Sequence, residues 1–265
     1  MNAALYRRGI AQTWKVLVII AVVLTMYTVI IIGMYNPTQT ELLNQFIASM
    51  PDVMNSLGMK AQSAHLIAFI ISYLYGMLLL IFPMVFTVIS ANTLVSKHID
   101  QGSMVTLLAA PIKRRQVMLT QITVLISEIA LLVLYLTALE ITVSQIQFPG
   151  QLEIGTLLVV NLGLFGLQSC IAGISILCSA IAQDSSHALL FSAGVPTLMY
   201  VVQMMANLGG NLKIARYFTM FSLYSPDDLV SGQTWAAVGV VVLFTAAIVL
   251  FVGAVRIFNT RDLNI

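Results

Sequence analysis

Charged side chains are scarce in this sequence: Asp, Glu, Lys and Arg make up 8% of its 265 residues, whereas 59% are hydrophobic. A soluble domain carries roughly 25% charged residues, so a chain this poor in charge cannot maintain an aqueous surface. The bilayer must therefore be its main solvent. A net charge of +2, without a basic tail, also argues against a nucleic-acid partner.

Cysteine is nearly absent as well, because Cys170 and Cys178 are the only two. Both lie in one apolar block, where eight residues of helix would separate their α-carbons by about 12 Å, beyond the disulfide limit of about 7 Å. The sequence contains no CxxC pair and no Cys/His cluster with metal-ligand spacing. We expect two small packing residues and no metal site.

Catalytic motifs are missing too. The chain has no GxxxxGK[ST] and no Gly-Lys pair, so it has no ATP-binding loop of its own. It has no HExxH and no GxSxG, which removes support for metal-assisted or nucleophilic hydrolysis. We therefore expect a chain that is not itself an enzyme and binds no cofactor.

Long apolar blocks are what the sequence does contain. A membrane helix needs about 20 apolar residues, and six blocks satisfy this length. They predict one all-α membrane domain without a soluble domain and with no internal repeat, with spans at 16–35, 66–91, 117–143, 154–182, 187–208 and 235–257.

Lysine and arginine are distributed unevenly between the two ends of these spans. With six spans both termini share one side, which would hold nine basic residues against three on the other. The positive-inside rule therefore places both termini, and the loop between the second and third spans, in the cytoplasm. The nine are Arg7, Arg8, Lys15, Lys97, Lys113, Arg114, Arg115, Arg256 and Arg261.

Two segments outside the spans are amphipathic or unusually apolar. Residues 1–15 place Leu5, Ile10 and Trp14 near helical spacing among Arg7 and Arg8, which predicts an interfacial helix lying on the cytoplasmic face; a charged start that only sets topology is the alternative. Residues 209–234 predict an extracellular apolar hairpin that enters the outer leaflet or forms a lid, the alternative being aromatic belt residues above the last span.

The cytoplasmic loop between the second and third spans reads "DQGSMVTLLAAPIKRRQ". Gly102 permits a sharp turn and Ser103 can cap a helix. The side chains of Met104, Leu107 and Leu108 then fall on one helical face, and Pro111 ends the helix. So short a helix cannot bury an apolar face alone, so it needs a lipid surface or the groove of a partner.

This pattern resembles the ABC-2 type permease family, the membrane subunits of type-2 ABC exporters. The matching positions are Asp100, Gly102, Ser103, Leu107, Leu108, Pro111 and Arg114, with Asp100 where Glu is more usual. Six spans, a basic amphipathic start and an apolar hairpin before the last span agree over the whole chain. The resemblance implies a coupling helix, including Met104, that docks into a separate ABC ATPase subunit.

The resemblance also implies the assembly. ATP and Mg would be bound by the partner ATPase, and closure of two ATPases around ATP would push the docked helices and tilt the spans. Six spans are half of the usual twelve, so a second permease copy, identical or not, is implied. We expect a multi-pass protein of a bacterial plasma membrane.

Ionisable and amide side chains within the spans are the candidate substrate contacts. An intramembrane carboxylate is a functional hypothesis by default, and Glu128 is expected to lie deeper than Glu140, which is expected to reach water at the outer end. Gln168 and Gln203 could line a polar path or bond across helices. Small residues of the fourth span, including the Ser169–Gly173 and Ser175–Ser179 pairs, predict close helix packing.

The expected function is therefore transport of an amphipathic substrate, such as a lipid, a peptide or a drug-like molecule, out of the cell. Two alternatives belong to other classes. An ion-coupled secondary carrier would show inverted repeats and broken helices, and an intramembrane enzyme would need convergent His, Asp or Glu side chains.

Overall fold

Six long helices form the computed structural model, which describes residues 3–36, 45, 47–57, 65–95, 114–182 and 184–260. Each is long and apolar enough to cross a membrane, and the described residues contain no strand. The predicted all-α membrane fold with six spans is confirmed. The spans are α1 (Ala3–Gly33), α3 (Leu66–Leu94), α4 (Arg114–Gln147), α5 (Ile154–Ile181), α6 (Ser185–Asn207) and α8 (Thr234–Thr260). The short helix α2 (Pro51–Ser56) lies between the first two spans in the sequence.

The contacts between spans show how they run relative to one another. Gly9 faces Val124, and Gly33 faces Gln147, so α1 and α4 are parallel. Gly9 also faces Leu94 at the end of α3, whereas Tyr35 stacks on Phe69 near its start, so α3 is antiparallel to α1. The beginning of α1, the end of α3 and the beginning of α4 therefore meet at one end of the bundle, which we call the basic end.

The centre of the bundle is α5, whose small residues permit close packing with α8, as predicted. Gly173 lies so close to Leu250 that a Cβ on the glycine would sit 2.9 Å from the Cβ of that leucine. Gly166 likewise faces the ring of Phe244. Close approach of this kind strengthens van der Waals packing where lipid removes the hydrophobic driving force. The two cysteines on α5 are free, as expected.

The predicted interfacial helix is not a separate element. Residues 3–15 continue into the first span as the single helix α1; that they lie at the membrane interface stays a prediction. These residues contact α4: Gly9 packs on Val124, and Thr13 bonds to Glu128. Arg7 and Arg8 are exposed on this extension, and the indole of Trp14 is 48% exposed.

The apolar segment before the last span folds as two 3-10 helices, Gly210–Phe218 and Met220–Leu223, followed by the short helix α7 (Pro226–Val230). Its second part enters the protein instead of the lipid: Phe221 and Tyr224 are buried in the core. A Cβ on Gly239 of α8 would lie 2.3 Å from the carbonyl oxygen of Leu223, so only glycine fits there. By contrast, Tyr217 and Phe218 are 88% and 74% exposed.

Candidate functional site

The position of each polar side chain along the bundle can be read from α1, which carries an uncharged stretch of 18 residues, 16–33. At a rise of 1.5 Å per residue that stretch is about 27 Å long, close to the hydrocarbon thickness of about 30 Å. Matched to the hydrocarbon in this way, the stretch would place Lys15 and Trp14 at the boundary between hydrocarbon and headgroups on the basic end. Tryptophan is the residue type enriched at that level.

The first polar cluster lies at this boundary, and we call it the edge cluster: Tyr6, Thr13, Ser127 and Glu128. The hydroxyl of Thr13 donates to Oε1 of Glu128 at 2.5 Å, which holds the carboxylate at the level of Thr13. Ser127 donates to the carbonyl of Val124 at 2.8 Å, so the hydroxyl of Tyr6 must be the donor in its 2.9 Å bond to Ser127 Oγ. Tyr6 is thereby fixed beside the carboxylate.

A groove of about 300 Å³ opens over the edge cluster between α1 and α4. Glu128 lies in its wall together with the rings of Tyr6 and Trp14. Glu128 is only 4% exposed, and its second oxygen, Oε2, is buried without a hydrogen-bond partner. The remaining lining is largely aliphatic, and it contains no Lys, Arg or His among the described residues.

The second polar cluster lies nearer the middle of the bundle, and we call it the middle cluster: Tyr75, Glu140 and Asn161. Oε2 of Glu140 accepts a hydrogen bond from the hydroxyl of Tyr75 at 2.9 Å and another from the amide of Asn161 at 3.1 Å. These bonds join α3, α4 and α5. Glu140 is 0% exposed, so the cluster is sealed within the protein.

An irregular segment of the α3 backbone positions Tyr75 in the middle cluster. Residues Ile71–Leu78 of α3 form a π-helical segment, a form that is rare and frequent at functional sites. Tyr75 lies within this segment and is completely buried. From the other side, the hydroxyl of Tyr224 donates to the carbonyl of Val160 at 3.3 Å, so the hairpin closes over the residue next to Asn161.

The two carboxylates lie at different levels along α4. Thr13 places Glu128 at the hydrocarbon boundary, whereas the α1–α4 register, in which Gly33 faces Gln147, places Glu140 opposite the middle of the uncharged stretch. The prediction that Glu140 reaches water is wrong, because its side chain is fully buried. Glu128 lies nearer than Glu140 to the basic end of α4 (Arg114–Gln147), and its depth in the membrane stays a prediction.

The two candidate glutamines both bond across elements. Gln168 is 0% exposed; its amide donates to the carbonyl of Leu80 at 3.2 Å, and its oxygen accepts from Thr87 at 3.5 Å. Gln203 donates to Asn207 at 3.1 Å and accepts from Thr219 of the hairpin at 2.5 Å. Gln168 therefore links α5 to α3, and Gln203 anchors the hairpin to α6. Their role as substrate contacts stays a prediction.

The predicted coupling residues Asp100, Gly102, Ser103, Met104, Leu107, Leu108 and Pro111 lie outside the described residues. The flanks of their loop are described: Val95 follows α3, and α4 begins at Arg114. Both flanks lie at the basic end, where α1 also carries Arg7 and Arg8. The loop therefore connects two spans at the end of the bundle richest in cationic side chains.

A third polar feature stands between α5 and α6. Asp184 caps α6, since its carboxylate accepts from the backbone N–H of His187 at 2.8 Å. That bond, with further bonds from the His187 ring, lowers the pKa of Asp184 from its ordinary value. Both side chains are largely exposed, and they border a groove that Cys178 and Phe191 also line.

The edge cluster was only partly visible in the sequence. Glu128 was identified as a candidate, but Thr13 and Tyr6 were not, because nothing in a single sequence pairs residues more than 110 positions apart. Tyr75 and Asn161, 65 and 21 positions from Glu140, were not paired with it either, although a tyrosine and an asparagine in apolar blocks already required hydrogen-bond partners. No protein-family model matches this sequence, and a comparison with curated proteins found no significant match.

Proposed function

We propose that this chain is the membrane-spanning permease subunit of an ATP-driven ABC transporter that exports an amphipathic substrate. The observation that carries the proposal is the segment 100–114, with its capped apolar face and terminating proline. The six-helix fold supports it, because the segment joins α3 to α4 at the basic end of the bundle, and the sequence carries no GxxxxGK[ST] motif.

The fold would allow a force applied to this loop to reach two spans at once. The loop is continuous with α3 and α4, and both helices reach the middle cluster, where Tyr75 and Asn161 bond to Glu140. A displacement of the loop would therefore act on two packed spans together. Packed interfaces change between discrete arrangements, so a push at the basic end can be transmitted across the membrane.

Partners and location follow from the same proposal. A separate ATPase subunit with bound ATP and Mg would seat the apolar face of Met104, Leu107 and Leu108. A second permease copy would complete the pathway, and the complex would reside in a bacterial plasma membrane with both termini in the cytoplasm. Arg114 at the start of α4 would then face phosphate headgroups.

The experiment is a paired substitution in the coupling segment. The full chain would be purified from the membranes of its source organism, with Leu107→Asp and Leu108→Asp combined, and co-purifying proteins identified by mass spectrometry. We expect wild type to retain an ATPase carrying a Walker A sequence, and the double variant to lose it by at least about tenfold, because burying two carboxylates in an apolar groove is unfavourable.

A matched control substitutes Leu212→Asp and Ile214→Asp, two exposed residues of the hairpin at the opposite end. This control should keep the ATPase. If the Leu107 and Leu108 variant inserts normally and still retains the ATPase at the wild-type level, the coupling role is wrong.

One observation favours a second candidate, an ion-coupled secondary carrier. Glu140 is a carboxylate buried near mid-membrane, and such groups mark proton and cation pathways in transporters. Transport by the chain alone in vesicles, driven by an ion gradient without ATP and abolished by Glu140→Gln, would favour this candidate over the ABC permease.

A further inference from the structure

We propose that the groove over the edge cluster binds the ammonium group of an amphiphile, with Glu128 as its counter-ion. This inference names a substrate class for the proposed transporter and so rests on the proposed function for its biological meaning. The binding site itself is a property of the chain and needs no ATPase.

The first step is the unpaired oxygen. Thr13 occupies Oε1 of Glu128, but Oε2 is buried and has no partner. A buried polar atom without a partner loses its hydration without compensation, and a carboxylate oxygen is an acceptor. The side chain of Glu128, which lines the groove, therefore has an acceptor still to satisfy, and a cationic donor would be the strongest one.

The second step is the pair of aromatic rings. Tyr6 and Trp14 line the same groove as Glu128, and Tyr6 is held there by its bond to Ser127. Cations are attracted to the faces of aromatic rings, with tryptophan the strongest, and aromatic cages are used to recognise quaternary ammonium groups. A carboxylate beside two rings therefore favours an ammonium over a metal ion, which would demand several oxygen ligands.

The third step is the depth and the shape of the groove. Glu128 lies at the level of Thr13, where the headgroups meet the hydrocarbon, and the groove continues past Leu17, Val18 and Leu131. Val18 and Leu131 are 44% and 57% exposed, so they face the acyl chains. An amphiphile would place its cation at Glu128 and its apolar chain along these residues. A lipid with an amine headgroup and a free lipophilic ammonium share this chemistry.

The test uses Trp14 as the reporter, because it lines the groove and only one other tryptophan, Trp235, is present. A Trp235→Phe chain would be reconstituted in phosphatidylglycerol nanodiscs. Its fluorescence would be titrated with dodecyltrimethylammonium, and with neutral dodecyl maltoside as the matched amphiphile. We expect a saturable change with the ammonium compound and only a weak, non-saturating change with the neutral one.

Two variants make the result specific. Glu128→Gln keeps the shape of the side chain and the bond from Thr13 but removes the charge. Because roughly one charge-assisted contact is lost, the half-saturating concentration should rise at least about tenfold. Leu131→Phe narrows the groove and leaves the carboxylate in place, and should weaken binding as well. Glu153→Gln, an exposed carboxylate elsewhere, should leave the titration unchanged.

A second arm separates the two sources of the ammonium group. Nanodiscs containing increasing fractions of phosphatidylethanolamine should reduce the response to dodecyltrimethylammonium if a lipid headgroup occupies the groove, and leave it unchanged if only free amphiphiles do. Both results support the ammonium site. An unchanged titration in a well-folded Glu128→Gln chain, or an equal response to dodecyl maltoside, would overturn it. Neither outcome bears on ATPase association, so the proposed function is judged separately.

Discussion

The edge cluster and the middle cluster each hold one carboxylate of α4, yet they differ in how completely that carboxylate is enclosed. Glu140 bonds to Tyr75 and Asn161, which come from two other spans, and it is fully buried. Glu128 has a single partner on one neighbouring helix and lines an open groove. Each carboxylate also has one buried oxygen without a hydrogen-bond partner, so the groove is what distinguishes them: Glu140 holds the bundle together, whereas Glu128 can be reached by a ligand through the groove.

The largest change in the free energy of unfolding is expected from Glu140→Leu, which tests the structural role of this carboxylate. The substitution would leave the hydroxyl of Tyr75 buried without an acceptor, at a cost of about 1–3 kcal/mol, whereas the amide of Asn161 keeps the carbonyl of Leu157 at 3.3 Å. We expect a clear decrease in the free energy of unfolding, measured by titrating detergent-solubilised protein with SDS. Glu140→Gln retains an acceptor oxygen and should lose much less. Equal losses in both variants would show that the hydrogen bonds are not what matters.

A smaller effect is expected from Glu128→Leu. The Thr13 hydroxyl also lies 3.1 Å from the carbonyl of Gly9, so it keeps an acceptor when the carboxylate is removed. We expect a change in unfolding free energy within about 1 kcal/mol, typical of sites that leave no group unsatisfied. The same SDS titration would measure it. A loss as large as that of Glu140→Leu would contradict the division between a structural and an available carboxylate.

The smallest change in stability is expected from substitution of Asp184, which lies at the basic end of the bundle but belongs to neither cluster. The bond from the His187 backbone lowers the pKa of Asp184, so its contribution to stability is present above its unfolded-state pKa and is lost as pH falls through the lower, folded-state value. Asp184→Asn should flatten this acid dependence slightly, as followed by thermal melting between neutral and acid pH. An identical acid profile in wild type and variant would contradict the cap.

The spans were predictable because each depends on a local property, about 20 consecutive apolar residues. The continuity of residues 3–15 with the first span was not predictable, since their amphipathic pattern is equally typical of a separate interfacial helix. It depends on the packing of Gly9 against Val124, which a single sequence does not reveal. The burial of Phe221 and Tyr224 was missed for the same reason, because composition cannot distinguish lipid from a protein core.

The candidate site was predictable only in its residue types. Glu128 and Glu140 were identifiable as rare intramembrane acids, but the burial of Glu140 was not, because the limits of an apolar block in α4 suggested that its side chain reaches water. The position of a residue along the bundle is measured against the uncharged stretch of α1. That measure can be transferred to α4 only when the Thr13–Glu128 contact is known. Tyr75 was not identifiable, since its position depends on a π-helical segment of α3.

The central claim is that the edge cluster lies at the headgroup boundary, and the depth of Trp14 tests it most directly. A Trp235→Phe chain would be reconstituted with lipids brominated at defined positions along the acyl chain, and quenching of Trp14 fluorescence measured for each. We predict the strongest quenching by bromines nearest the headgroup and the weakest by those nearest the chain end. The opposite order would place Trp14 and Glu128 deep in the hydrocarbon and contradict the account.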